Sequence, residues 1–333
     1  MLELIKKMEE LRGIPQFLFL SEISPTSTIQ VRKEVISFKK ENVESDKIDF
    51  IINSPGGSPG DAYRIIRTLR NNFKEVNIIV PFWAKSAATL LALGGNNIIM
   101  GEFGEFGPLD IQIGVEREDS PEFDVESALN DEYSVRQIEF RAQESFYKIF
   151  TNLYSSEDVK INKNDLSEQI FNYLSAFYQP LLKQINPYSL GKKKRLLDIG
   201  ESYAVRILTT YNSELPEEHI FKLVDFLVNR CPDHGYVIDY NLLKNVSVLN
   251  NLKSTTDVGV DYDEIVKDLT SQFLEMQRST YIGFLPPKAL TSDKKEELKH
   301  NSNKNVQKDD LTESKTKSNG KHNEKAKPAK SNS

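Results

Sequence analysis

Four short apolar runs, QFLFLS (16–21), KIDFIIN (47–53), VNIIVP (76–81) and NIIMG (97–101), constrain this chain more than any other feature. They are continuous rather than alternating, so each predicts a strand buried on both faces. Between them lie stretches whose apolar residues recur at helical spacing: TIQVRKEVISFKKEN (28–42), SPGDAYRIIRTLRNNF (58–73) and SAATLLALGG (86–95). Strands that alternate with helices predict a mainly parallel sheet covered on both faces, here over residues 14–115. LDIQIG (109–114) reads as a further strand, and a short amphipathic helix ended by Gly13 precedes the first.

From residue 122 the pattern turns helical. Four long segments between Asp124 and Arg230 carry heptad-like apolar spacing. A loop and strand, CPDHGYVIDY (231–240), and an amphipathic helix near 261–282 follow. The expected organisation is therefore an α/β core over 1–121, a mainly helical region over 122–290 and a tail over 291–333. From Asp293 to Ser333 eleven lysines face seven acids, with almost no large apolar residue. Such a segment cannot bury enough surface to offset its ordering entropy, so it reads as a disordered, solvated tail whose partner is unknown.

Composition excludes several classes. The formal net charge of −6 gives no basic footprint for nucleic acid. The single cysteine, Cys231, allows no intrachain disulfide and no cysteine-based zinc site, which fits a reducing, cytoplasmic setting. The first residues, MLELIKKMEELRG, carry charges every few positions and read neither as a signal peptide nor as a membrane span, and no later window is apolar for long enough to be one.

Three loops after strands attract attention, because ligands of open α/β sheets gather at the carboxyl ends of the strands. In NSPGGS (53–58) two adjacent glycines permit positive φ and leave backbone N–H groups at a helix entrance, where they can donate to a developing anion. In VPFWAKSAATLLALGG (80–95), Ser86 falls where strand gives way to an almost wholly apolar helix. It reads as a nucleophile assisted by the N–H of Ala87, or as an ordinary serine N-cap. Taken alone, the cap is the commoner case. GEFGEFGPLDIQ (101–112) carries Asp110, either a turn acid or a carboxylate that orients a base. A serine nucleophile needs a base. His219 opens an amphipathic helix, and His300 and His322 lie in the tail; His234, in a loop with Pro232 and Gly235, is the best placed. Lys85 is the rival, but neighbouring side chains point in different directions, so it is expected to stay charged and either pair with an acid or lie along the surface.

Taken together, INSPGGSPGDAYRIIRTLR, VPFWAKSAATLLALGGNNIIMGEFGEFGPLDIQIG and CPDHGYVIDYNLLKN resemble the Clp-protease/crotonase superfold and within it the serine dehydrogenase proteinase family. The resemblance is strong over 47–114 and looser over 186–250. It implies a core of ββα units, with the family's nucleophile carried onto Ser86 and its oxyanion donors onto Gly57 and Ala87. The Ser-Asp-His order of that branch maps Asp110 and His234. It also implies a peptide or protein substrate, no cofactor or metal, and assembly as a homo-oligomer. The histidine that follows the serine in Clp subunits is missing, because EFGPLD stands in its place. The long helices at 123–186 and the lysine-rich tail match nothing in the family. The expected function is a cytoplasmic serine peptidase working through an acyl-enzyme on Ser86. The alternatives are a Ser-Lys dyad using a lysine from elsewhere, as in signal-peptide peptidases, a crotonase-like acyl-CoA enzyme, against which the intact AKSAAT speaks, and a non-catalytic oligomeric scaffold.

Overall fold

In the computed structural model the described residues are 1–109, 112–116, 123–156, 160–247, 249–275 and 280–284, with backbone alone at 112–116 and 123–132. They lie within the unit Met1–Leu285. The tail expected over 291–333 lies outside the described residues.

The apolar runs and helical stretches of the first hundred residues fold as their patterns predict. The order is α1 (Leu2–Arg12), β1 (Gln16–Leu20), α2 (Pro25–Glu41), β2 (Lys47–Asn53), α3 (Pro59–Asn72), β3 (Glu75–Val80), β4 (Trp83–Ala84), α4 (Ala87–Ala92), β5 (Asn97–Met100) and β6 (Glu105–Phe106). A hairpin of β7 (Gln112–Glu116) and β8 (Phe123–Ser127) leads into the helical region. There follow α5 (Ala128–Tyr154), α6 (Lys163–Leu182), α7 (Pro187–Tyr211) and α8 (Glu217–Asp225), the last extended by a π-helical turn, Phe226–Arg230. The chain then returns through β9 (Ile238–Asp239), α9 (Tyr240–Val246), β10 (Leu252–Ser254), α10 (Thr255–Val258), α11 (Val260–Glu275) and β11 (Tyr281–Phe284).

The main sheet has the order β10-β5-β3-β2-β1-β11. Every neighbouring pair is parallel except β1 with β11. The fold is thus mixed α/β around a parallel-rich sheet, with a long helical region inserted before the final strands. Successive strand residues point to opposite faces. Phe17, Phe19, Phe50, Ile78 and Ile98 pack under α2, α3, α4 and α7, while Leu18, Leu20, Ile51, Ile79 and Ile99 pack against α1 and α11. That double cover explains why the strands are continuous apolar runs. Each such side chain contributes about 1.5–3 kcal/mol when fully buried. The sheet also takes two strands from beyond residue 250. β10 is short and half polar, and β11 is an antiparallel edge that contains Gly283. Neither has the apolar run that marks the central strands.

α5 packs on α6 and α7. Between α5 and α6 lies a small core in which Leu166, Ile170 and Leu174 meet Phe146, Ile149 and Phe150. Among the described residues no helix is long and apolar enough to cross a membrane.

Candidate active site at the Ser86 turn

β4 carries the nucleophile candidate out of a small sheet of its own, with the order β4-β6-β9. β4 runs parallel to β6, pairing Trp83 with Glu105 and Ala84 with Phe106. β9 runs antiparallel to β6, pairing Phe106 with Ile238 and Glu105 with Asp239. The direction of each strand fixes where its neighbours go. Ser86 lies two residues after Ala84, Asp110 four after Phe106, and His234 four before Ile238. All three segments therefore leave the small sheet at one end. His234 is half-buried, in the turn before β9. Asp110 itself lies outside the described residues.

Ser86 stands at the N-cap position of α4 but does not act as a cap. Its backbone has φ 49° and ψ −118°, and its side chain makes no capping bond. Among the described residues it is the one non-glycine with positive φ. An ordinary serine cap is extended and accepts a bond from the first turn, as Ser24 and Ser58 do for α2 and α3. Such a backbone costs on the order of 1–3 kcal/mol and persists only where the surroundings impose it. A sharp strand-to-helix turn of this kind exposes a serine hydroxyl at the head of a buried helix. All six residues of α4 are buried, so the turn cannot relax by rotating the helix. The Ser86 hydroxyl has no hydrogen-bond partner among the described residues.

The glycine loop holds the turn in place. Ser54 donates from its N–H to the Trp83 carbonyl at 2.8 Å and accepts from the Lys85 N–H at 3.0 Å. Its side chain accepts from the Gly56 N–H at 3.1 Å. Gly56, at φ 104°, lies so close to the turn that a Cβ there would sit 2.6 Å from the Lys85 carbonyl oxygen and 2.9 Å from the Ser86 Cβ. Gly57, at φ 135°, lies against Ile23, whose carbonyl oxygen would be 2.2 Å from an added Cβ. The Ile23 backbone donates to the Gly56 carbonyl and accepts from the Ser58 N–H. That pairing uses both of Ile23's groups and leaves the Gly57 N–H out of the bridge. Neither the Gly57 N–H nor the Ala87 N–H, the first of its helix, has an acceptor among the described residues. Two backbone donors, one in the glycine loop and one directly after Ser86, therefore stand open among the described residues.

Two further residues brace the turn, and sequence reasoning missed both as partners. The Thr89 hydroxyl, fully buried, lies 2.6 Å from the Ala84 carbonyl oxygen and 2.8 Å from that of Gly107, and accepts from the Gly107 N–H at 3.1 Å. It ties α4 to both short strands. A threonine in an otherwise apolar helix was the signal for it. Glu105 takes Lys85, with Nζ–Oε1 at 2.7 Å, and Lys85 also donates to the Phe106 carbonyl at 3.4 Å. Lys85 is thus the paired cation its position predicted, turned toward β6. His219, a less favoured histidine, sits in the first turn of α8 with its Nδ1 buried and without a partner among the described residues.

Comparison with known proteins follows the same division of the chain. Two uncharacterized proteins of Methanocaldococcus jannaschii are similar to it. One is 28% identical over 166 residues, covering 47% of this chain and 55% of the relative. The other is 32% identical over 102 residues, 31% of this chain and 32% of the relative. The chain thus spans about half or less of the length of these relatives. Among solved structures, a variant of the membrane-bound stomatin-specific protease 1510-N is 20% identical with a TM-score of 0.28, over 40% of this chain and 62% of that one. A ClpP1 variant from Listeria monocytogenes is 14% identical with a TM-score of 0.36, over 77% and 98%. Residues 2–125, which hold the whole Ser86 turn and its glycine loop, match the family of ClpP-like SDH-type serine proteinases.

Proposed function

We propose that this protein is a serine peptidase in which Ser86 attacks the carbonyl of a peptide bond. The observation that carries the reading is the backbone of Ser86. A strained, uncapped serine stands at a helix entrance, directly before the open Ala87 N–H and against the glycine loop. Strain of this kind has no structural return at an ordinary cap. At a nucleophile it presents the hydroxyl to substrate.

In this reading His234 takes the proton of the Ser86 hydroxyl as the Oγ–carbon bond forms. Asp110 holds the imidazole in the right tautomer. The tetrahedral oxyanion accepts from the Gly57 and Ala87 N–H groups, and loss of one such donor typically costs about 10²–10³ in kcat. His234 then passes the proton to the departing amine, and the C–N bond breaks to leave an ester on Ser86. Water, deprotonated by His234, hydrolyses that ester and regenerates the hydroxyl. The convergence of the β4, β6 and β9 ends supports this assignment of roles. In this reading the Ser86–His234 hydrogen bond tightens on substrate binding, as catalytic hydrogen bonds that are long or poorly aligned without ligand do. The ion pair of Lys85 with Glu105 speaks against Lys85 as the base.

Labelling with a fluorophosphonate probe tests the proposal. The native protein should label covalently, and Ser86→Ala should not. Equal labelling of the two would overturn the assignment. His234→Ala should lower the labelling rate. A rate that survives this change and climbs toward alkaline pH would instead assign the proton to a lysine.

A further inference from the structure

Away from the Ser86 turn, an open groove runs between α2 and α3. Its volume of about 470 Å³ lies in the range of small-molecule sites. Its walls are not those of an apolar pocket. Arg32 comes from α2, Arg64 and Arg67 come from α3, and Ile36 is the one apolar residue among the described lining. Neither an acidic side chain nor an aromatic ring lines it among the described residues. Helical spacing puts these groups in the groove together. Thr28, Arg32 and Ile36 recur every four residues along α2, and Arg64, Arg67 and Asn71 recur at intervals of three and four along α3, so each set shares one side of its helix.

The charges in the groove are not balanced. Asp61, buried beside it, pairs with Arg64 at 2.8 Å and accepts from the Thr28 hydroxyl at 3.3 Å. That carboxylate answers one guanidinium of the three. Arg32 and Arg67 are exposed, and neither has an ion pair or a hydrogen bond among the described residues. The whole chain has a formal net charge of −6, so carboxylates to pair with them are plentiful in the sequence, yet the fold brings none to their side of the groove. Like charges on neighbouring turns of a helix repel. A cleft lined by one sign of charge also concentrates its field and draws in ions of the other sign.

We propose that this groove binds a chain of linked phosphoryl groups, as found in an inorganic oligophosphate or in the phosphate tail of a nucleotide. Guanidinium forks donate pairs of parallel bonds to phosphate oxygens. Three arginines against one carboxylate leave two positive charges unanswered, and linked phosphoryl groups bring at least that many negative charges into a small volume. Thr28 and Asn71 stand beside the arginines as neutral hydrogen-bonding groups. With no ring in the lining, a base has nothing to stack on, so the phosphates are the part recognised.

Isothermal titration calorimetry of the full chain with tripolyphosphate tests the proposal, without divalent cations and in about 0.1 M salt, where distant surface charges are screened. The native chain should bind at one site. Arg32→Gln with Arg67→Gln should weaken binding at least about 100-fold, since each bond from a charged donor is worth about tenfold or more. Both side chains are exposed, so the variant should keep its helical circular dichroism and melting temperature. Lys6→Gln with Lys7→Gln removes the same charge from α1, on the other face of the sheet, and should bind like the native chain. Ser86→Ala should do the same, which separates the groove from the proposed chemistry. Titration with ATP distinguishes the sources. Equal affinity assigns the groove to the phosphate chain itself, and tighter binding that is lost in the arginine variant assigns it to a nucleotide; either supports the proposal. It is overturned if neither tripolyphosphate nor ATP binds the native chain at about 1 mM, or if the arginine variant binds as tightly as the native chain. It is equally overturned if the Lys6 and Lys7 variant loses as much affinity, or if a hexaglutamate peptide binds as tightly as tripolyphosphate.

Discussion

The two ends of the central sheet follow opposite rules. At the amino end, one residue from each of four adjacent strands forms a polar row: Gln16, Asp49, Asn77 and Asn97 stand in register across β1, β2, β3 and β5. Every neighbour in the row is bonded. Gln16 donates to Asp49 at 2.9 Å, Asn77 donates to Asp49 at 2.8 Å, and Asn97 donates to Asn77 at 2.6 Å. Arg12 from α1 closes the row with two bonds to the Asp49 carboxylate. At the carboxyl end, glycines take positive φ, Ser86 is strained, and the Gly57 and Ala87 N–H groups stand open. Most polar groups are satisfied where the sheet is held together, Gln16 Oε1 excepted, and backbone donors are left open where substrate is proposed to bind. Satisfied groups stabilise the fold, whereas open donors are useful to a ligand.

The sharpest way to break this contrast is at Ser86. Ser86→Gly should reduce turnover by about 10⁴-fold or more if the serine is the nucleophile. The same change should raise stability by about 1 kcal/mol, because glycine accepts φ 49° without the cost a side chain incurs there. Urea unfolding of the two proteins measures it. A less stable glycine variant would mean that the turn is not strained, and the contrast between the ends would fail.

Next in size is the amino end. Asp49→Ala removes the acceptor shared by Arg12, Gln16 and Asn77, in a position with no solvent exposure. Breaking a buried charge pair from one side costs about 3–5 kcal/mol. The denaturation midpoint should drop accordingly. Probe labelling of the fraction that remains folded should be unchanged, since the row lies at the far end of the strands. Loss of labelling at a temperature where the variant is folded would show the two ends to be coupled.

Thr89→Val is the intermediate case, because it joins both kinds of chemistry. The substitution keeps the shape and removes the hydroxyl that bridges Ala84 and Gly107. Leaving those buried groups unpaired costs about 1–3 kcal/mol. The labelling rate should fall as well, since the bridge fixes α4 and β6 around Ser86. A stability loss without a rate loss would make Thr89 a brace for the fold alone.

How much of this was legible in the sequence depends on the length of each signal. The central strands β1, β2, β3 and β5, and helices α1 to α4, were readable because apolar runs and 3.6-residue spacing are local properties. The long helices α5 to α8 were readable for the same reason. β4, β6 and β9 are two residues each, too short to carry a period, yet the proposed site lies at their ends. Ser86 could be read as cap or nucleophile because both need a serine at a helix entrance, and only φ separates them. Lys85 was legible as a paired cation, but its partner Glu105 depends on the pairing of β4 with β6. The bond of Thr89 to Gly107 spans eighteen residues and could not be read from either position alone.

The smallest expected effect lies near the amino-end row, where two groups depart from that end's rule: Gln16 Oε1, buried without a partner among the described residues, and the Tyr262 hydroxyl. The Tyr262 hydroxyl is buried among the described residues without a hydrogen-bond partner, and Arg12 lies over its ring at 5.5 Å. Burial, and then the nearby Asp49 carboxylate, push its pKa far above the ordinary tyrosine value. Between that ordinary value near 10 and the raised one, the unfolded chain sheds the proton while the folded chain keeps it. The unfolded state then binds fewer protons, so stability falls as pH rises, by about 1.4 kcal/mol per unit for this one group. Tyr262→Phe removes that slope. At neutral pH it should be neutral or stabilising by up to about 1 kcal/mol, since no bond is lost. Tyr211 and Tyr281, whose pKa values are also raised by burial, are common to both chains and cancel in the difference. Urea unfolding of the two proteins from pH 7 to about 10.5 reads the divergence directly. Curves that stay parallel above pH 10 would mean that the hydroxyl reaches water or a partner, and Gln16 Oε1 would then be left as the exception at the amino end.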